Sequence, residues 1–160
     1  MSKVLVAYFS KTGEQYGVGT ITKGNTAIAA EIIAEKTGGD LFEIKVVNDN
    51  YPDTYNPLVQ YAKVEKQKNA RPEIVGEVSN IGEYDTIFLG YPNWWADMPM
   101  PVYTFLDKYD LSGKTVHNFC THEGSGGVHR GDFAMYGHIA QNDRGQAEGK
   151  ISEWLKSIGF

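Results

Sequence analysis

The segment Val4-Leu5-Val6-Ala7-Tyr8-Phe9 is an unbroken apolar run that stops at Ser10-Lys11-Thr12-Gly13. A run without polar alternation cannot lie on a sheet that shows one face to water, so it reads as a strand covered on both sides. Such strands belong to parallel sheets wrapped by helices, which confines the chain to the α/β class. The rest of the sequence keeps to that pattern. From Thr26 the spacing of Ile28, Ile32 and Ile33 is helical, with a glycine stop at Thr37-Gly38-Gly39. Residues 41–47 read as a second strand and 55–68 as a helix; residues 86–90 form a third strand. A helix with prolines in its first turn follows over 98–108, then a fourth strand over 115–120 and a fifth over 133–140. Ile151, Trp154, Leu155 and Ile158 share one face of a closing helix over 147–158.

This alternation implies strands joined by right-handed crossovers in a single doubly wound domain covering residues 1–160. A chain of 160 residues needs no disulfide or metal staple, since folding at this size buries roughly 68–70% of the unfolded surface. One cysteine, Cys120, excludes a disulfide framework and fits a reducing compartment. With 15 Lys+Arg against 20 Asp+Glu the net charge is −5, which argues against a nucleic-acid backbone binder. No apolar run approaches the ~18 residues of a membrane span, and Met1-Ser2-Lys3 before the first strand does not suit a signal peptide. The expectation is a soluble, cytoplasmic protein with neither nucleic acid nor membrane as partner.

In open parallel sheets, ligands sit outside the carboxyl ends of the strands. The loops after three strands carry the chemistry. After the first come Ser10-Lys11-Thr12-Gly13, a glycine-rich insertion with Gly17 and Gly19, and Gly24-Asn25-Thr26 at the start of the helix. Hydroxyls and free amides at a helix N-terminus suit a phosphate. The Gly-Lys-Ser/Thr ending of a Walker loop is absent, and no G-x-G-x-x-G opens the helix. An ordinary N-cap by Asn25 is the alternative. After the third strand, Gly90-Tyr91-Pro92-Asn93-Trp94-Trp95-Ala96-Asp97-Met98-Pro99 puts adjacent tryptophans in one loop, and neighbours in sequence cannot both enter one core. One should therefore face a cleft or solvent, where a planar ligand could stack on it. After the fourth, Thr121-His122-Glu123-Gly124-Ser125-Gly126-Gly127 offers backbone donors to a polar ring edge.

Together these segments resemble the flavodoxin family, in the branch with a short insertion inside the phosphate loop. The resemblance covers nearly the whole chain. It implies a five-stranded parallel sheet in the order 2-1-3-4-5 and one non-covalent FMN. By the same carry-over, Ser10, Thr12, Asn25 and Thr26 would hold the phosphate, with Lys11 adding a charge. Pro92, Asn93, Trp94 and Trp95 would line one side of the flavin, and Thr121, Gly124, Ser125 and Gly126 its polar edge.

One departure stands out. Residues 123–132 contain four glycines and no apolar periodicity, so a loop takes the place of the fourth helix. Sheet surface left bare there would call for a second subunit, hence a homodimer or larger. The expected function is a low-potential one-electron carrier working between protein redox partners, a reductase and an acceptor. The alternative is an FMN-dependent NAD(P)H oxidoreductase acting on quinones or similar acceptors. A phosphate-receiving signalling domain of the same topology does not fit, because Ser10 and Tyr91-Pro92 occupy the positions of its acidic residues. His117, His122, His129 and His138 lack metal-ligand spacing, and Arg130-Gly131-Asp132 reads as coincidence. No side chain is assigned a catalytic role or a metal.

Overall fold

The computed structural model describes residues 3–125 and 132–160. The chain begins with β1 (Val4–Tyr8), followed by a short hairpin of β2 (Gly13–Gln15) and β3 (Gly19–Ile21), then α1 (Asn25–Thr37) and β4 (Asp40–Glu43). Next come α2 (Tyr55–Gln67), β5 (Thr86–Pro92), α3 (Met100–Lys108) and β6 (Thr115–His122). β7 (Phe133–Tyr136), α4 (Gly137–Asn142) and α5 (Arg144–Ser157) complete it.

β1 is buried at every residue. It pairs in parallel with β4 on one side and β5 on the other, and the sheet runs β4-β1-β5-β6-β7. With the hairpin set aside, that is the order 2-1-3-4-5 of the five parallel strands. The period-2 geometry of β1 splits the core. Val4, Val6 and Tyr8 join Phe88, Phe119 and the apolar faces of α1 and α5. Leu5, Ala7 and Phe9 join Ile87, Leu89 and Tyr91 with Leu58 of α2 and Val102 and Phe105 of α3. Among the described residues no helix is long and apolar enough to cross a membrane.

Two sequence expectations change. The second strand stops at Glu43 rather than 47: Ile44 N–H still donates to Tyr8 O (2.7 Å), but β1 ends there and the chain turns away. Val46 then bridges antiparallel to Ile74 outside the sheet. The fifth strand stops at Tyr136, and residues expected to extend it form α4. A strand would send Ile139 and Ala140 to opposite faces, whereas the helix buries both against the α1 side of the core. The glycine-rich insertion is an ordered antiparallel hairpin.

The described residues between β6 and β7, 123–125 and 132, contain no helix. The strip this leaves is narrow. Cys120 is buried in the cluster that contains Val102 and Phe105, while Val116, Ala134 and Tyr136 on the same face stay exposed. On the other face Trp154 of α5 stacks on Phe133 (4.8 Å, 14° between planes).

Close packing in mid-sheet depends on Gly90, where a β-carbon would lie 2.1 Å from the Phe119 ring. Gly90→Ala should destabilise the fold by about 3 kcal/mol in urea unfolding, the upper range for overpacking. Adding Phe119→Leu should recover part of that loss; no recovery would place the cost elsewhere.

Candidate functional site

The carboxyl ends of β1, β5 and β6 open into one cleft of about 300 Å³, in the range of small-molecule sites. Its first wall is the entry to α1. Gly24 is the N-cap, and a β-carbon there would sit 1.9 Å from Ser10 Oγ, so only glycine lets the loop and helix meet this closely. Ser10 Oγ accepts from Ala27 N–H (3.0 Å), and Ile28 N–H begins the intrahelical pattern by donating to Gly24 O (3.2 Å). The amides of Asn25 and Thr26 precede that pattern and have no acceptor within the helix, so the helix dipole and two N–H groups face the cleft end. Asn25 is thus not the cap; its side-chain Oδ1 accepts from Gln141 Nε2 (2.9 Å). Thr26 and Thr121 share a buried hydroxyl hydrogen bond (2.7 Å) that ties this helix start to the end of β6. The Lys11 ammonium donates to Thr12 O (2.8 Å) and lies 3.2 Å from Asp53 Oδ1, which balances its charge locally.

The second wall is the turn after β5. Trp94 N–H donates to Asp97 O (3.0 Å) and Asp97 N–H to Trp94 O (3.1 Å). Trp95 and Ala96 between them have φ of 58° and 55°. Positive φ at both central positions is the I′ turn geometry, normally filled by Asn and Gly. Contacts from α2 hold it: Trp95 Nε1 donates to Val59 O (2.9 Å), Lys63 Nζ lies 5.4 Å from the Trp95 ring centre, and Lys66 Nζ donates to Trp95 O (2.7 Å). The turn separates the two tryptophans as their adjacency requires. Trp94 packs edge-on against Phe9 and Tyr51 at 5.2 and 5.5 Å, while Trp95 remains 43% exposed. Asp97 Oδ1 accepts from Met98 N–H (2.7 Å) and Tyr103 Oη (2.6 Å); burial and this carboxylate push the Tyr103 phenol up to about 12.

The third wall follows β6. Asn93 Nδ2 donates to Ser125 Oγ (3.0 Å) and Asn93 N–H to Thr121 O (3.0 Å), joining the two loops. Gly124 N–H donates to His122 Nδ1 (2.9 Å), which requires the neutral ring at that nitrogen. Burial holds the His122 imidazole below its ordinary range, with Glu123 acting weakly in the opposite sense. Glu123 accepts from the His138 backbone N–H (2.7 Å) and lies 2.9 Å from His138 Nδ1.

A helix start with two unpaired amides, an aromatic turn and a polar loop therefore meet at one sheet edge. A profile described as Flavodoxin matches residues 3–152. The chain belongs to the flavodoxin family. No curated protein sequence matches it. Among solved structures, a candidate flavoprotein from Bacteroides eggerthii DSM 20697 is 31% identical with a TM-score of 0.75, covering 100% of this chain and 99% of its own. A second candidate flavoprotein, from Bacteroides uniformis ATCC 8492, is 28% identical with a TM-score of 0.71, covering 94% and 98%. A flavoprotein in complex with FMN from Lactobacillus acidophilus NCFM shares the fold at 23% identity and a TM-score of 0.63, covering 96% and 86%.

Of the residues expected from the sequence, Lys11, Asn25, Thr26, Pro92, Asn93, Trp94, Trp95, Thr121 and Ser125 line this flavodoxin cleft. Ser10 stands just behind the helix start. Thr12 is exposed and leads into the hairpin, outside the cleft lining, as is Gly124 (φ 106°). Gly126 lies outside the described residues. The expectation missed a fourth wall, in which Glu14, Gln15 and Tyr16 of the hairpin region meet Tyr55, Leu58 and Val59 of α2. Glu14 N–H donates to Asp53 O (2.7 Å), Glu14 Oε1 accepts from Tyr55 N–H (2.6 Å), and the Tyr16 and Tyr55 rings lie 5.6 Å apart. The glycines at 13, 17 and 19, all at positive φ, were the available signal for that hairpin.

Ala96→Gly should relieve the left-handed strain and stabilise the fold by about 1 kcal/mol in urea unfolding; an unchanged midpoint would mean the turn is unstrained. The His122 contribution follows its depressed pKa: it is present above the ordinary value of 6.5 and lost as pH falls through the lowered one. His122→Asn, which keeps an acceptor but cannot titrate, should therefore flatten the fall in melting temperature between about pH 7 and pH 5. Parallel wild-type and variant curves would contradict this.

Proposed function

We propose that this protein is a low-potential electron carrier that holds FMN in the cleft and passes electrons between a reductase and an acceptor protein. FMN is the cofactor of this flavodoxin-like protein. When bound, it supplies the redox chemistry at its ring. The residues present fit it: unpaired amides at a helix start for the phosphate, an aromatic wall for the ring, and a joined polar loop for the ring edge.

In this reading the amides of Asn25 and Thr26 and the dipole of α1 bind the phosphate. Lys11, neutralised by Asp53, orients the loop rather than adding a net charge. Trp94 is held edge-on by Phe9 and Tyr51, so it presents a fixed ring face and excludes water beneath the ligand. The Asn93–Ser125 bond keeps the two ring-side loops at a set separation. His122 stays neutral near pH 7 and carries its proton at Nε2, since Nδ1 accepts from Gly124. Asp97, with a side chain only 15% exposed, lies 3.7 Å from Lys66 Nζ and accepts from Met98 N–H and Tyr103 Oη, so its carboxylate fixes the aromatic turn.

The observation that favours a carrier over an enzyme is how the charged groups of the lining are used. Lys11 is paired with Asp53, Glu14 accepts from Tyr55 N–H, and Glu123 is held by His138. Each supports the walls, which leaves none of these three committed to a second small substrate. Anaerobic photoreduction of the FMN-loaded protein, followed by absorbance, tests this. The expected result is reduction in two resolved one-electron stages, with NADH and NADPH reacting only slowly unless a reductase is added. A single two-electron stage, or rapid direct reduction by either nucleotide, would favour the oxidoreductase instead.

A further inference from the structure

We propose that Gln141 of α4 is a positioning residue for phosphate recognition, acting through Asn25 and the loop that precedes it. The inference rests on the FMN reading above and adds a residue from outside the cleft lining to it. Gln141 Nε2 donates to Asn25 Oδ1 (2.9 Å) and to Lys23 O (2.8 Å). One amide group thereby uses both of its hydrogens on the residues that flank Gly24, the N-cap of α1.

The consequences are geometric. Gly24 has no side chain with which to cap its own helix, so the peptide planes around it are set by neighbours. Ser10 fixes them from the sheet side, by accepting from Ala27 N–H. Gln141 fixes them from the α4 side. Its donor also settles which end of the Asn25 amide is the acceptor, leaving Nδ2 as the donor end of a side chain that lines the cleft. Gly137 at the start of α4 makes room for that end, because a β-carbon there would lie 2.4 Å from Asn25 Nδ2. The next residue, His138, holds Glu123 of the ring-side loop. A single short segment thus braces both the phosphate end and the ring end of the cleft, and Gln141 serves the phosphate end. Preorganised donors bind more tightly because their ordering cost is met during folding.

The test compares FMN with riboflavin, which carries the same ring without the phosphate. Dissociation constants for both are measured by flavin fluorescence on apoprotein, for wild type, Gln141→Leu and Gln141→Glu. Leucine removes the donor at similar volume, and glutamate replaces the donor with a negative acceptor. Removing two hydrogen bonds should weaken FMN about tenfold in Gln141→Leu and more in Gln141→Glu, with riboflavin changed less than about twofold in both. Equal weakening of FMN and riboflavin would assign Gln141 a structural role and overturn the proposal. So would an unchanged FMN-to-riboflavin ratio in variants of a wild type that prefers FMN. A wild type that binds riboflavin as tightly as FMN would instead overturn the phosphate reading of the α1 entry, and this inference with it.

Discussion

Because β1 offers no polar face, both sides of the sheet must be covered, and α1 with α5 and α2 with α3 supply that cover. Backbone groups of the central strands are then reachable only at their ends. At the carboxyl ends the loops must leave the sheet and enter helices, and the tight entry to α1 forces glycine at 24 and leaves two helix amides unpaired. The cleft follows directly from covering one apolar strand twice. The Thr26–Thr121 hydroxyl bond then locks the first loop to the third, across the end of the intervening β5.

The α/β class and the main helices were legible because long apolar runs such as 4–9 and 86–90 need cover on both faces, while the five-strand order came from the family resemblance. The separation of Trp94 from Trp95 was legible for a covalent reason, since neighbouring side chains cannot enter the same space. What stayed hidden depended on contacts distant in sequence. Ile139 and Ala140 are as apolar as a strand requires, and only packing against α1 makes that stretch helical. The hairpin wall needed knowledge that Asp53 and Tyr55 dock against Glu14, some forty residues earlier. The resemblance assigned Thr12 and Gly124 to the ligand; the backbone carries Thr12 into the hairpin, and neither residue is part of the cleft lining.

Charge in the cleft is arranged in a consistent way. Several lysines and carboxylates near the mouth have an opposite or donating partner on another segment: Lys66 with Asp97, Glu123 with His138, Lys11 with Asp53. Exposed pairs of this kind add little stability individually. Their value here is registration, because each joins two separate segments of the chain and so limits how far those segments can shift.

The hairpin departs from β1 and rejoins at α1, and its two ends almost touch: the β-carbon position of Gly24 is only 3.1 Å from Lys11 O. An excursion that closes on itself places no demand on the sheet beneath it. The hairpin forms its own two-stranded sheet, so the helix entry keeps its place against the five-stranded sheet whatever the hairpin docks on.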